Sequence, residues 1–295
     1  MRSAVLGAGK MGIWYAKYLK EKGDAVVLAD RTPAKLQRLK AELGVETADF
    51  TKAVKAADRV FICTSISSLE EIVKKVAPAT HKGQVIMDIC SIKEYPINVM
   101  HQYLPEALVL GTHPVFGPGS KGVKHKAYVL TPTNPAEAAA AEDFKRWLEA
   151  EQAHVFIMTP QKHDELMSLI LGMSHFIGLV ACETLLEQQG FAESKKLAGT
   201  TYRMLFTLAE VAAIETPDLY ANVQTKIPSL TKIEDQFIAN AEEWLALNKN
   251  KDQQGIKDRM ARLKSKLDKE DADFAKSYEI MYKMLEATEK QEANP

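Results

Sequence analysis

The stretch "AVLGAGKMG", residues 4–12, decides the fold of this chain. A short apolar run typical of a strand ends in "GAGKMG", where Gly7, Gly9 and Gly12 have the spacing G-x-G-x-x-G, and a helical pattern follows. In such a unit the first glycine permits a tight turn, the second lets the backbone approach a diphosphate, and the third allows close helix packing. The helix N-terminus adds amide donors and positive potential. The predicted dinucleotide site comprises Gly7, Ala8, Gly9, Lys10, Met11 and Gly12.

The residues after the second and third predicted strands bear on the choice of coenzyme. Asp30 ends the second strand, where a carboxylate accepts hydrogen bonds from ribose hydroxyls, favours NAD and repels a 2′-phosphate. Arg31 is its neighbour and can pair with that phosphate, so NADP stays possible. Thr64 and Ser65, at the end of the third strand, are also assigned to the coenzyme. The alternative for the whole motif is a structural turn without a ligand.

Seven apolar runs alternate with helical patterns in the first half of the chain, which indicates an α/β domain with a doubly wound, mostly parallel sheet. The predicted strands are 4–6, 25–29, 59–64, 84–89, 107–111, 127–131 and 154–158. Beyond residue 160 the pattern is helical, with breaks at Gly190, Pro217, Pro228 and 248–255. The stretch 256–285 predicts an amphipathic helix that is long or interrupted once. We therefore expect an α/β domain over 1–159 and an all-helical domain over 160–295.

Composition narrows the class of protein. A chain of 295 residues with 46% hydrophobic residues and a net charge of −1 is typical of a globular protein and argues against nucleic acid as a partner. Cys63, Cys90 and Cys182 lie far apart, which predicts free thiols in a reducing compartment and no metal site. The N-terminus enters a strand directly and lacks a signal-peptide pattern, so we expect a cytoplasmic protein.

The segment 166–186 is apolar enough to suggest a membrane span. It contains Ser168, Ser174, His175 and Glu183, and no second such segment accompanies it. A helix that is apolar on nearly all sides is also what a domain core or a subunit interface requires. We therefore expect a core or interface helix and no membrane partner.

The stretch "LGTHPVFGPGSKGVKHK", residues 110–126, places His113 after the fifth predicted strand. On a parallel sheet this position lies at the carboxyl edge, where ligands bind. Histidine can accept the proton of an alcohol as hydride leaves. Ser91 and Lys93 follow the neighbouring strand; Ser91 can bond His113 and hold its tautomer, and Lys93 can meet a substrate carboxylate. A satisfied loop histidine is the alternative.

These motifs carry a resemblance to a known family. "DICSIK" (88–93), "GTHPVFGPG" (111–119), "HDELMSLILGMSHF" (163–176) and "YRMLFTLAEVAAIETPDLYANVQ" (202–224) resemble the prephenate and arogenate dehydrogenases of tyrosine biosynthesis. The resemblance implies a Rossmann-type domain joined to a helical domain that forms a homodimer, and an oxidative decarboxylation. It implies that His113 is the catalytic base, that Ser91 orients it, and that Lys93 and His175 lie around the substrate. It gives His163 a structural or secondary role.

One position departs from the family pattern. An arginine that grips the substrate usually follows the "YR" pair by eight residues, and Val211 stands there. Arg203, Lys121, Lys124 or Lys126 can replace a guanidinium from another direction. Alternatively, the pocket has shifted toward arogenate, an amino analogue or another cyclic acid, with Glu210 available to an amino group.

Two other functions stay open. A β-hydroxy-acid dehydrogenase also joins such a domain to helices, but the first long helix of the second domain has His175 where that class has a catalytic lysine. An inactive dinucleotide-binding paralogue or regulator would explain Val211, although the retained His113, Ser91 and Lys93 argue against it.

Overall fold

A computed structural model describes residues 1–292, with side chains through residue 286. Within this part of the chain, eight strands form one sheet in the order β3-β2-β1-β4-β5-β6-β7-β8. The strands are β1 Arg2–Leu6, β2 Ala25–Ala29, β3 Glu46–Ala48, β4 Arg59–Ile62, β5 Val85–Asp88, β6 Leu108–Pro114, β7 Ala127–Thr131 and β8 His154–Ile157. Every neighbouring pair is parallel except β6 and β7. The predicted mostly parallel sheet is confirmed.

Two details of the sheet differ from the prediction. The three-residue strand β3, "ETA", was not predicted, because it is short, has a polar start and lies at the sheet edge. Strand β6 continues past 111 to Pro114, so His113 lies in the strand and not after it. The extension follows from antiparallel pairing with β7, which sets His113 opposite Val129. This pairing fixes the backbone of the residue that matters most for the proposed chemistry.

The helices between the strands cover the sheet and bury its apolar residues. Leu6, Leu28, Phe61, Ile86 and Leu110 are 0% exposed. These helices are α1 Lys10–Glu21, α2 Pro33–Leu43, α3 Phe50–Lys55, α4 Ile66–Val76, α5 Glu94–Tyr103, α6 Pro135–Ala150 and α7 Pro160–Met167. Strands buried on both faces are what a parallel sheet between helices requires.

The chain divides into two compact units, and the division falls elsewhere than after residue 159. The sheet unit is Met1–Gly172 together with Thr216–Ser229, and the helical unit is Met173–Glu215 together with the residues from Leu230 on. Helix α7 belongs to the sheet unit because it buries His163, Asp164 and Met167 there.

Helix α11, Pro217–Lys226, also belongs to the sheet unit and is tied to α4 and α5. Ser67 donates to the carboxylate of Asp218, and Asn222 Nδ2 donates to Ser67 Oγ at 2.9 Å. The ammonium of Lys226 lies 4.0 Å from the ring centre of Tyr95. These side-chain contacts are long-range in sequence, which is why helical periodicity alone did not predict them.

The helical unit has the predicted breaks at Gly190 and around 248–255, and one more at 197–199 that the sequence did not predict. Its helices are α8 Ser174–Leu186, α9 Phe191–Lys196, α10 Thr200–Ile214, α12 Leu230–Lys249, α13 Gln253–Glu270 and α14 Ser277–Glu292. Helices α8 and α10 approach closely at Gly178, where an added Cβ would lie 2.8 Å from Cβ of Ala212. The amphipathic pattern of 256–285 forms two helices, so of the two alternatives, a long helix or one interrupted once, the structure has the interrupted one.

Most residues of the apolar segment 166–186 are exposed or half-buried in the single chain. One helical run in the described residues, Pro160–Leu186, is long and apolar enough to cross a membrane by length and composition, and 11% of its most apolar window is buried. Leu186 is 61% exposed and Val180 is 41% exposed. Placement in a domain core is therefore wrong for this segment within one chain, and the subunit interface is the expectation that stays.

Candidate functional site

The glycine-rich turn has the geometry that a diphosphate site needs. Gly7 has φ +105°, and a Cβ there would lie 2.8 Å from the carbonyl oxygen of Cys63. A Cβ on Gly12 would overlap the carbonyl oxygen of Gly7. At Gly9 a Cβ would meet no atom within 4 Å, and Gly9 starts α1 without a side-chain cap. The turn therefore leaves an open approach to uncapped helix amides, and the residues fit a bound diphosphate.

Asp30 is held in place beside this turn by the backbone. Its Oδ2 accepts a hydrogen bond from the Ala8 amide at 2.8 Å, and its Oδ1 accepts one from the Thr32 amide at 2.9 Å. Burial alone would raise the pKa of Asp30, but these two hydrogen bonds and the charge of Lys35 outweigh it and lower the pKa. Asp30 is therefore an ionised acceptor, while Arg31 beside it is exposed.

Thr64 and Ser65 lie at the carboxyl end of β4, next to the glycine turn. The methyl group of Thr64 would lie 3.1 Å from a Cβ on Gly7. The hydroxyl of Thr64 is buried and has no hydrogen-bond partner among the described residues. Ser65 precedes α4 and is exposed. A buried hydroxyl without a partner is costly, which is consistent with a ligand that supplies one.

The second part of the site is a chain of buried hydrogen bonds that starts at His113. Nδ1 of His113 lies 2.9 Å from Nε2 of His163, and Nδ1 of His163 lies 2.7 Å from Oδ1 of Asp164. The Asp164 carboxylate also accepts the backbone amides of Lys93 at 2.7 Å and Glu94 at 3.0 Å. His113 is 5% exposed, His163 0% and Asp164 1%. No hydrogen bond joins Ser91 to His113 among the described residues, and Nδ1 of His113 is engaged by His163.

Lys93 is not placed to meet a substrate. Its side chain is fully buried, and its ammonium pairs with the Asp88 carboxylate and donates to the Thr112 carbonyl at 2.7 Å. The Cys90 amide donates to the same carboxylate at 2.8 Å. A buried ion needs partners of this kind to offset its lost hydration. Lys93 thus fixes the ends of β5 and β6, and the expectation of a substrate contact does not fit this placement.

Burial sets the charge state of the two histidines. It lowers the pKa of His113 well below the usual value, and nearby His163 and Lys93 lower that pKa further. Burial also lowers the pKa of His163, outweighing the hydrogen bond that His163 donates to Asp164, which acts the other way. Both imidazoles are therefore neutral at neutral pH, which is the form in which histidine acts as a base.

The loop after β6 is anchored to the helix that follows the glycine turn. Trp14 Nε1 donates to the Ser120 carbonyl at 2.7 Å, and the rings of Trp14 and Phe116 lie 5.1 Å apart. Lys121, Lys124 and Lys126 are exposed in this loop. These lysines remain accessible to an anion.

The other residues assigned to the substrate lie in the helical unit. His175 is in α8, where burial lowers its pKa against the opposing charge of Glu215. Arg203 is in α10 and lines an open cavity of about 490 Å³. The other lining residues are Lys195, Lys196, Ala198, Tyr202, Phe206, Thr207 and Glu210. Val211 is 51% exposed. Glu210 lies 3.4 Å from the ammonium of Lys195, so it already has a cationic partner.

The sequence interpretation missed the place of His163 and Asp164. It left His163 a secondary role and did not single out Asp164. The signal available was the dipeptide "HD" one turn after "TP", where Thr159 caps α7 through its hydroxyl. Capping positions both side chains on the first turns of a short helix, but only the fold shows that they face His113.

Models of one protein family match most of the chain. The prephenate dehydrogenase nucleotide-binding domain matches residues 15–158, and the prephenate dehydrogenase dimerization domain matches residues 159–262.

Curated relatives bear related names. A probable arogenate/prephenate dehydrogenase of Methanocaldococcus jannaschii is 34% identical over 260 residues, which are 86% of this chain and 58% of that protein. A cyclohexadienyl dehydrogenase of Zymomonas mobilis is 25% identical over 252 residues, 80% of this chain and 85% of that protein. Arogenate dehydrogenase 2 of Arabidopsis thaliana is 27% identical over 232 residues and is covered to 62%. The chain thus spans only about three fifths of the first and third of these relatives.

Solved structures share the fold. Prephenate dehydrogenase of A. aeolicus, in complex with hydroxyphenyl propionate and NAD+, matches with a TM-score of 0.76, 19% identity and coverage of 92% of this chain and 98% of that one. Synechocystis arogenate dehydrogenase matches with a TM-score of 0.73, 18% identity and coverage of 91% and 99%. Together with the two domain matches, which span residues 15–262, these findings show that the chain belongs to the prephenate dehydrogenase family.

Proposed function

We propose that this protein is an NAD(P)-dependent oxidoreductase that decarboxylates prephenate to 4-hydroxyphenylpyruvate or arogenate to tyrosine, with His113 as the catalytic base. The observation that carries the proposal is the neutral, buried His113 in β6. The carboxyl end of β6 shares one sheet edge with those of β1 and β4, which lead into the glycine turn and Thr64. Nδ1 of His113 is engaged by His163, while Nε2 of His113 has no hydrogen-bond partner among the described residues.

We assign NAD as the preferred coenzyme. The glycine turn would hold its diphosphate, and ionised Asp30 would accept hydrogen bonds from the adenosine ribose. Asp30 would also repel a 2′-phosphate, whereas exposed Arg31 gives NADP a partner and keeps it as the second coenzyme. The A. aeolicus relative was solved with NAD+, which supports the same choice here.

The reaction needs one base and a fixed substrate. The bound nicotinamide supplies the acceptor for the hydride that leaves the carbinol carbon. As the carbinol C–O becomes C=O, the O–H bond breaks and Nε2 of His113 takes the proton. The bond to the ring carboxylate then breaks, carbon dioxide leaves, and the electron pair makes the ring aromatic with a phenolate oxygen. His113 returns its proton to that oxygen, so the base is regenerated.

We assign the binding of the substrate carboxylates to cations other than Lys93. Val211 stands where the family usually has an arginine, so that cation is missing as well. Arg203, His175 and Lys121 are the residues we assign. Arg203 lines a cavity and Lys121 is exposed in the loop after β6. A guanidinium is the better partner for a carboxylate because it forms two parallel hydrogen bonds, so Arg203 is expected to contribute most.

We further propose a cytoplasmic homodimer assembled through the helical unit. The matching family model describes a dimerization domain, and α8 and α10 expose large apolar side chains that a second copy would cover. Cys63 and Cys90 are free and buried, and Cys182 is free, which supports a reducing compartment.

The test is the rate of coenzyme reduction by the purified protein with prephenate and arogenate offered separately, each with NAD and NADP. We expect turnover with at least one substrate and a higher kcat/KM with NAD than with NADP. Turnover with neither substrate, in protein that binds NAD, would contradict the proposal.

A further inference from the structure

The hydrogen bonds that join Asp164, His163 and His113 run in one direction, and the Asp164 carboxylate fixes that direction. A carboxylate only accepts hydrogen bonds, so the 2.7 Å contact requires Nδ1 of His163 to donate to Asp164. In the neutral imidazole of His163, Nε2 is then an acceptor. The 2.9 Å contact in turn requires Nδ1 of His113 to donate to it. Nε2 of His113 is left with a lone pair and no proton.

The carboxylate at the end of the chain is itself held rigidly. The amides of Lys93 and Glu94, which donate to Asp164, lie at the N-terminus of α5. A helix N-terminus favours a negative charge. Asp164 therefore has its position and its charge fixed by backbone groups, independently of any substrate.

We propose that His163, oriented by Asp164, is a positioning residue that fixes the tautomer of His113 and stabilises the imidazolium formed when His113 takes a proton. The inference rests on the proposed role of His113 as the base. His163 touches neither coenzyme nor substrate in this account. It acts only through Nδ1 of His113, and the carboxylate of Asp164 balances the positive charge along the chain.

The inference is first tested without substrate. Nitrogen-15 NMR of the wild-type protein at neutral pH reports which imidazole nitrogen carries the proton, with the His113 signal identified by its loss in His113→Asn. We expect His113 protonated on Nδ1 and bare on Nε2. A proton on Nε2 would overturn the inference, whatever the substrate of the enzyme is.

Two substitutions then separate positioning from packing. His163→Leu removes the acceptor, and we expect kcat to fall at least about 100-fold, the lower range for a general base, while KM for NAD changes less than about twofold. His163→Gln returns an acceptor oxygen near the position of Nε2. We therefore expect its kcat to be at least about tenfold higher than that of His163→Leu. Equal kcat for the wild type and His163→Leu, or equal losses in both variants, would overturn the inference.

The matched control is His101→Leu, because His101 is also bonded to a buried carboxylate, Glu137, at 2.7 Å within the sheet unit. It lies outside the site, so its kcat is expected to equal that of the wild type. A wild-type protein that lacks turnover would contradict the proposed function alone, since the NMR measurement still decides the direction of the hydrogen-bond chain.

Discussion

The two units of the molecule differ in the kinds of side chain that they bury and expose. In the sheet unit the central strands are buried, and even charged groups such as Lys93, Asp88 and Asp164 lie inside with partners. In the helical unit large apolar side chains face outward, including Leu186 at 61% exposure and Ile214 at 82%. The first unit therefore builds a polar site from its own residues, whereas the second presents a surface suited to a second copy.

A buried polar site and a subunit interface therefore require different kinds of side chain at different places in the sequence. Buried ions need nearby partners that offset their lost hydration, and the central strands place such partners beside Lys93 and Asp164. Exposed apolar surface on a helix is costly in water and marks an interaction site.

The buried ion pair should be the most sensitive point of the sheet unit. Lys93→Met leaves the Asp88 carboxylate buried without its cation, and we expect a loss of about 3–5 kcal/mol in the free energy of unfolding. Denaturant unfolding followed by tryptophan fluorescence measures it. The double variant Asp88→Asn/Lys93→Met removes both charges and should recover much of the loss. A double variant as unstable as the single one would show that the pair is not the cause.

A charged substitution on the apolar surface of the helical unit should weaken self-association of the protein. Leu179→Arg places a charge on α8, and we expect the dimer dissociation constant to rise at least about 100-fold, since each of two symmetry-related sites would bury an unpaired charge in place of a leucine that is 36% exposed in the single chain. Sedimentation velocity over a concentration series measures it. Phe156→Arg, at an exposed apolar residue of the sheet unit, is the control that should stay dimeric. Dissociation by the control alone would place the interface in the other unit.

The glycine turn should separate packing from coenzyme binding. Gly12→Ala forces a Cβ onto the Gly7 carbonyl, and we expect a loss of about 1–3 kcal/mol in unfolding free energy. Gly9→Ala meets no protein atom, so it should leave stability unchanged and weaken NAD binding by obstructing the diphosphate. Thermal unfolding and calorimetric titration measure the two effects. Unchanged NAD affinity in Gly9→Ala would argue for a turn without a ligand.

The buried neutral histidines should make stability depend on pH. Burial lowers the pKa of His113 and of His163, so the unfolded chain takes up protons below about pH 6.5 while the folded chain does not. The unfolded state then binds more protons, and the free energy of unfolding falls as pH decreases, by up to about 1.4 kcal/mol per pH unit for each histidine. Denaturant midpoints between pH 7 and pH 5 measure this slope. His113→Asn should flatten it, and an unchanged slope would show that His113 takes up its proton as readily in the folded chain as in the unfolded chain.

Sequence reasoning reached the fold because local patterns agree with it. The strand "AVL", the glycine turn and the alternation of apolar runs with helices each predict the same parallel sheet, and the structure confirms it. The short edge strand Glu46–Ala48 escaped because three residues carry no periodicity. The end of β6 was placed too early because its last residues are held by pairing with β7, a contact distant in sequence.

The site was predicted in outline but not in its pairings. His113, Ser91 and Lys93 were expected to form one cluster, since all follow neighbouring strands. Burial separates their roles, because Lys93 forms an ion pair with Asp88, and His113 is hydrogen-bonded to His163, a partner 50 residues away. Such choices depend on which donors lose water on folding, and a linear pattern does not record that.

The central claim is that His113 is the base of the reaction, and the most direct test is turnover by His113→Asn beside NAD affinity in the same protein. We predict that turnover of the better substrate falls by about 10²–10⁴-fold, while the NAD dissociation constant stays within about twofold. His125→Asn, at an exposed histidine in the loop that follows, serves as the control and should retain wild-type turnover. Turnover of His113→Asn within about tenfold of the wild type would contradict the claim.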